Sequence, residues 1–143
     1  DVIVGFPGET PEQYENTRSL LAELRFQAVH TAAYSIRPGT EAAKKYADDV
    51  PKAEKARRLA GLEKLQTGIA TEINTGLVGS EVEVLVEERA KDRWRGRDIH
   101  GKLVFFNSPL DLKGQLVKVK ITAAGPWSLR GEPAQGYVQG VGE

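Results

Sequence analysis

Glu81-Val82-Glu83-Val84-Leu85-Val86-Glu87 is the stretch on which the reading of this sequence turns. Val82, Val84 and Val86 alternate with Glu81, Glu83, Leu85 and Glu87, and that period of two describes a half-buried β-strand. Further on, Val117, Val119 and Ile121 alternate with Leu116, Lys118, Lys120 and Thr122, and Leu103-Val104-Phe105-Phe106 is a third β run. Gly96, Gly101, Gly114, Gly125 and Gly131 punctuate the segment at the spacing of short-strand all-β folds. The pattern predicts a small OB-like antiparallel β-barrel over residues 77–132. The glycine-bearing stretch 133–143 is expected to be a flexible tail.

Upstream the period changes. Pro51 opens a long helical pattern to residue 76, with Leu59, Leu62, Leu65, Ile69 and Ile73 at spacings of three and four. Such a stripe is expected to pack, and its position makes it the connecting helix between two differently patterned regions. Residues 1–50 read as α/β. Asp1-Val2-Ile3-Val4 resembles a buried strand entered midway, without an initiator Met, and ends at the turn Gly5-Phe6-Pro7-Gly8. Thr10, Pro11 and Gln13 form a capping box with proline at the first helical position. Tyr14, Thr17, Leu21 and Leu24 follow at helical spacing, a second strand is predicted over Ala28 to Tyr34, and a short helix over Glu41–Tyr46. Strand, helix and strand make one βαβ unit, hence a parallel pair. One helix and two strands cannot cover both faces of such a sheet, so this region is expected to be an incomplete part of something larger.

The 143 residues carry 20 Lys+Arg against 20 Asp+Glu, two His and no Cys. Hydrophobic residues at 40% exclude wholesale disorder, and no run approaches the roughly 18 apolar residues of a membrane span. Without cysteine, this polypeptide has no disulfide, thiol nucleophile or Cys-held iron–sulfur cluster. His30 and His100 lie far apart and suggest no metal site and no catalytic role.

Net charge zero conceals an asymmetry. Arg89, Lys91, Arg93, Arg95, Arg97 and Lys102 face only Asp92 and Asp98 within their segment, and Lys113, Lys118, Lys120 and Arg130 lie between Leu112 and Gly131 with no acid. Lys118 and Lys120 share the outward face of one strand, and Trp94 and Trp127 are candidates to stack a base. A basic barrel with exposed aromatics is how single-stranded or looped RNA is held. The same composition also describes a solvated strand face over core tryptophans. Composition does not choose between them.

Five ordered motifs carry a resemblance: Asp1–Thr10, Tyr34-Ser-Ile-Arg-Pro-Gly-Thr40, Leu77-Val-Gly79, Gly101-Lys-Leu-Val-Phe-Phe106 and Ser128-Leu-Arg-Gly-Glu132. Together they resemble the C-terminal part of the radical-SAM methylthiotransferases, and within them the MiaB type, which acts on tRNA. The resemblance implies the end of a radical-SAM (β/α) barrel over residues 1–50, a connecting helix over 51–76 and a TRAM RNA-binding barrel over 77–132. It also implies a parent enzyme that methylthiolates a prenylated adenosine beside the anticodon, with S-adenosylmethionine and two 4Fe-4S clusters. The family's cluster ligands are cysteines, so none falls in this chain, which alone is expected to be inactive. Val4, Gly5 and Phe6 become cofactor-pocket neighbours, although a tight strand-to-helix connection also accounts for that turn. Arg37 can meet an anion or brace the Pro38-Gly39 turn. Arg89, Lys91, Arg93, Arg95, Arg97, Lys102, Lys118, Lys120, Trp127 and Arg130 become the RNA-binding set. The expected partner is the tRNA anticodon stem-loop, met by a cytoplasmic monomer away from any membrane. A stand-alone RNA-binding module is an alternative, as is a methylthiotransferase acting on threonylcarbamoyl-adenosine or on a ribosomal protein.

Overall fold

Thr10 starts the first helix as its sequence requires. Its hydroxyl accepts from the Gln13 amide (3.1 Å), and the Gln13 side chain accepts from the Thr10 amide (2.9 Å). The computed structural model describes residues 1–134 and divides into two units, one through Ala70 and one from Thr71. In the first, β1 (Val2–Val4) and β2 (Thr31–Ala33) pair in parallel, Val2 opposite Thr31 and Val4 opposite Ala33. Helix α1 (Pro11–Leu24) makes the crossover, and the short α2 (Glu41–Lys45) follows β2. Val4, Tyr14, Leu21 and Leu62 form the buried core. Strand β2 is shorter than the stretch expected from Ala28 to Tyr34, because the chain leaving α1 through a left-handed Arg25 uses the residues up to His30 as a connection. The ladder still gains a bond at each end, Val2 N–H to His30 and Tyr34 N–H to Val4.

Helix α3 (Lys52–Thr75) runs unbroken through Gly68. Its buried positions are Lys55, Arg58, Leu62, Gln66, Ile69, Ala70 and Asn74, a face rotated from the apolar stripe of the sequence. Leu59 and Leu65 are only partly buried, while charged side chains occupy the inner face near the helix start.

In the second unit, β3 (Glu81–Ala90), β4 (Arg93–Asp98), β5 (Leu103–Phe106), β6 (Leu116–Ala124) and β7 (Ser128–Pro133) close into a barrel in the order β3-β4-β5-β7-β6. Closure leaves no free sheet edge. The expected wholly antiparallel barrel is corrected at one seam, since β5 and β7 pair in parallel. That seam lets five strands close with the last strand inserted between the third and fourth, as in an OB fold. Val84, Val86, Val104, Phe106, Val117, Val119, Ile121 and Leu129 fill the interior, so the inward alternation of β3 and β6 is as the sequence demands. Strand β7 takes in Pro133, and the Ala134 N–H donates to the Lys118 carbonyl. The remainder of the expected tail, 135–143, lies outside the described residues.

Candidate nucleic-acid interface

Strand alternation in the barrel sorts the basic segment by face. On β4, Trp94, Gly96 and Asp98 point inward while Arg93, Arg95 and Arg97 point outward. Trp94 is therefore core rather than a stacking surface. It is 4% exposed, and its indole N–H donates to the Leu110 carbonyl (3.1 Å). Trp127, in the turn before β7, is 68% exposed and keeps the role expected of it open. Asp98 is buried and accepts from the His100 and Lys102 amides, holding the turn between β4 and β5.

The cations differ in how far they are engaged. Arg95 pairs with Glu88 (2.5 Å), and Arg97 pairs with Glu87 (3.3 Å) and donates to the Gly101 carbonyl. Lys102 Nζ donates to Asn74 Oδ1 (2.6 Å), and the Asn74 amide in turn donates to the Gly125 carbonyl. Arg89 lies over the Trp94 ring at 5.6 Å, and Arg93 over the Phe105 ring at 5.0 Å. Lys91, at φ 59°, forms the turn between β3 and β4. Arg130 is exposed on β7 and neighbours Phe105 across the parallel seam.

Lys118 and Lys120 do point outward from β6, but the register brings acids beside them. Glu83 is directly opposite Lys118, Glu81 is opposite Lys120, and Glu132 of β7 flanks Lys120 from the other side. Opposite charges in such cross-strand positions attract and lower the local positive potential. Sequence reasoning assigned these glutamates to their own strand and missed the pairing. Matched Glu and Lys repeats at i, i+2 in the two alternating strands are the signal that reveals it.

The other candidate residues surround the turn after β1. Val4 is fully buried. Gly5 has φ 69°, and a Cβ there would overlap the Lys55 side chain, so any other residue is strained at this position. Phe6 is 42% exposed and meets the edges of Tyr34 and Tyr46 at 5.2 and 6.1 Å. Helix α3 supplies two buried cations to this turn, neither of which sequence reasoning singled out. Arg58 Nη1 donates to the Glu9 carboxylate (2.7 Å) and carbonyl (2.9 Å), and its Nε to Glu54 (2.8 Å). Lys55 Nζ donates to Asp48 (2.5 Å) and the Tyr34 carbonyl (3.1 Å). Burial works against the charge on Arg58, but hydrogen bonds to Glu54 and Glu9 outweigh it and raise its pKa. Glu54, hydrogen-bonded first by Arg57 and then by Arg58, is lowered to about 2. An open cavity of about 720 Å3 adjoins Tyr34, Ile36, Asp48 and Lys55.

Among the described residues no group of three or more His, Cys, Asp or Glu side chains is placed to hold a metal, and no helix is long and apolar enough to cross a membrane. Residues 77–134 match the TRAM domain family. Over 91% of its length the chain is 52% identical to a tRNA-2-methylthio-N(6)-dimethylallyladenosine synthase of Dehalococcoides mccartyi, and over 93% it is 53% identical to that of Chloroflexus aurantiacus. It spans 31% and 29% of those proteins. A solution structure of a conserved protein from Methanococcus maripaludis is 33% identical and covers 40% of this chain and 79% of its own. Its TM-score of 0.34 is too low to bear on the fold. The chain thus contains a TRAM domain at residues 77–134 and, as its motifs implied, is similar along about nine-tenths of its length to part of the tRNA-2-methylthio-N(6)-dimethylallyladenosine synthases.

Proposed function

We propose that this chain is the tRNA-holding portion of a radical-SAM methylthiotransferase that modifies a prenylated adenosine beside the anticodon. The observation that carries the reading is a TRAM barrel with a row of outward arginines, in a chain about half identical to synthases of that name. Residues 77–132 are the RNA-binding barrel, 51–76 the connecting helix and 1–50 the closing part of the catalytic (β/α) barrel. The parallel pairing of β1 and β2 through α1 supports that last assignment. The basic surface consists of Arg89, Lys91, Arg93, Arg95, Arg97, Lys102, Lys118, Lys120 and Arg130, with Trp127 at its end, and takes the anticodon stem-loop. The enzyme acts as a monomer in the cytoplasm.

The 4Fe-4S clusters of such an enzyme do not fit this chain. It has no cysteine, so the ligands belong to residues outside this sequence. S-adenosylmethionine would meet the end of β1, where Gly5 makes the turn, Val4 anchors it in the core and Phe6 presents a half-exposed ring.

The full chain, titrated with anticodon stem-loop RNA at several salt concentrations, tests the reading. Each phosphate contact contributes a log–log slope of roughly −0.7 for single strands, so about three to five contacts give roughly −2 to −3.5. A salt-independent affinity overturns the electrostatic mechanism. The pair Lys118→Gln and Lys120→Gln is expected to weaken binding while the barrel stays folded, because both side chains point to solvent and neither change sets like charges against Glu81, Glu83 or Glu132. Unchanged affinity removes β6 from the surface.

A further inference from the structure

One row of cross-strand partners runs across β4, β5 and β7: Arg95, Phe105, Arg130. Val104 and Phe106 of β5 turn inward to the core, so Phe105 stands on the outer face between two arginines. The Arg93 guanidinium lies over its ring. We propose that this row is a stacking site for a base of single-stranded RNA. Phe105 and the guanidinium plane of Arg93 receive the base, and Arg95 and Arg130 meet the adjoining phosphates. The inference rests on the RNA-binding role proposed above, and it names the residue at the centre of contact.

Three observations put the stacked base on this face, leaving β6 to outlying backbone contacts. Arg95 is only partly satisfied: its Nη2 pairs with Glu88, while its Nε has no hydrogen-bond partner among the described residues. That Nε is shut off from solvent, but the side chain as a whole is 38% exposed beside the Phe105 ring, and the open part of a guanidinium so placed suits a phosphate next to a stacked base. Beside Arg130 lies a hollow of about 220 Å3 bordered by Ala123, Ala124, Gly125 and Ser128, small residues that leave room for a nucleic-acid backbone. The β6 lysines, by contrast, each have a glutamate directly opposite. Bases in a duplex already stack on one another, so an aromatic platform selects single strands, and every base has a face to offer it.

The test uses the full chain and a short single-stranded RNA carrying 2-aminopurine, whose fluorescence falls when the base stacks. Phe105→Leu keeps an apolar side chain and the charge but removes the ring. It is expected to weaken binding roughly 5- to 100-fold and abolish the quench, while leaving the salt slope unchanged because no charge is lost. Arg93→Lys keeps the charge and removes the plane, and is expected to weaken binding several-fold. It lies on an exposed side chain and decides the matter should Phe105→Leu fail to fold. Wild-type affinity and quench in these variants overturn the site while leaving RNA binding by the barrel intact. Tighter binding of a duplex of the same sequence overturns it as well. An unsubstituted chain that binds neither RNA overturns the RNA-binding role itself, and the site with it.

Discussion

The unit through Ala70 surrounds a single turn with buried charge, with Arg58 on Glu9 and Lys55 on Asp48, whereas the barrel of the second unit is filled by an apolar cluster and keeps its charges outside. The difference follows from where backbone groups find partners. In a closed barrel each strand pairs on both sides, so the ladder satisfies N–H and C=O groups without help from side chains. A two-stranded parallel sheet ends in a turn with nothing beside it to pair with. There Glu9 accepts from the Gly5 amide and Asp49 from the Gly8 amide, while Arg58 and Lys55 donate to the Glu9 and Tyr34 carbonyls. Charged side chains do at the turn what neighbouring strands do in the barrel.

Removing core volume is the strongest way to challenge the barrel half of this contrast. Phe106→Ala, at a position 1% exposed, is expected to lower stability by about 3–5 kcal/mol. Urea unfolding of the full chain followed by circular dichroism measures it, and a loss below about 1 kcal/mol would mean the interior collapses around the void rather than holding its shape. For the turn, Arg58→Met leaves the Glu9 carboxylate without its buried cation and is expected to cost about 3 kcal/mol. Adding Glu9→Gln should recover part of that loss, because the stranded charge goes with it. If the double variant is as unstable as the two single losses summed, the pair does not act as a unit and the contrast weakens.

The smallest effect concerns acid. Glu54 ordinarily titrates at 4.5 and is held at about 2 by Arg57 and Arg58. A carboxylate depressed on folding stabilises the fold above its unfolded pKa and loses that contribution as pH falls through its folded one. The gap in unfolding midpoint between the natural chain and Glu54→Gln should therefore be full at neutral pH and close between pH 4.5 and 2. A gap that persists at pH 2 would assign Glu54 a packing role instead of an ionic one.

Strands β3 and β6 and the capping box at Thr10 were legible from sequence because each depends on a local pattern that burial leaves intact. Strands β4 and β7 were not. Their inward positions include Gly96 and Gly131, where a Cβ would overlap the carbonyl oxygens of Leu85 and Lys120. Where barrel strands approach that closely no side chain fits, and the apolar alternation that announces a strand is missing. Arg93-Trp94-Arg95-Gly96-Arg97-Asp98 therefore read as a charged segment when it is a strand with a charged face.

Legible along the chain were the change from helical to strand period near residue 77, the absence of thiol ligands and the five ordered motifs that carry the resemblance. Those are properties of residue identity and spacing along the chain. Folding was needed to show which charges stand opposite each other, that Trp94 is core, and that Phe105 stands outside between Arg95 and Arg130. Register makes the difference. Pairing β3 with β6 places Glu81 and Glu83 on the lysines, and pairing β5 with β4 and β7 places a ring between two guanidinium groups. A shift of one residue would turn the ring inward and send the core face to solvent. The burial of Lys55 and Arg58 was decided in the same way, because a turn far away along the chain left backbone groups for them to satisfy.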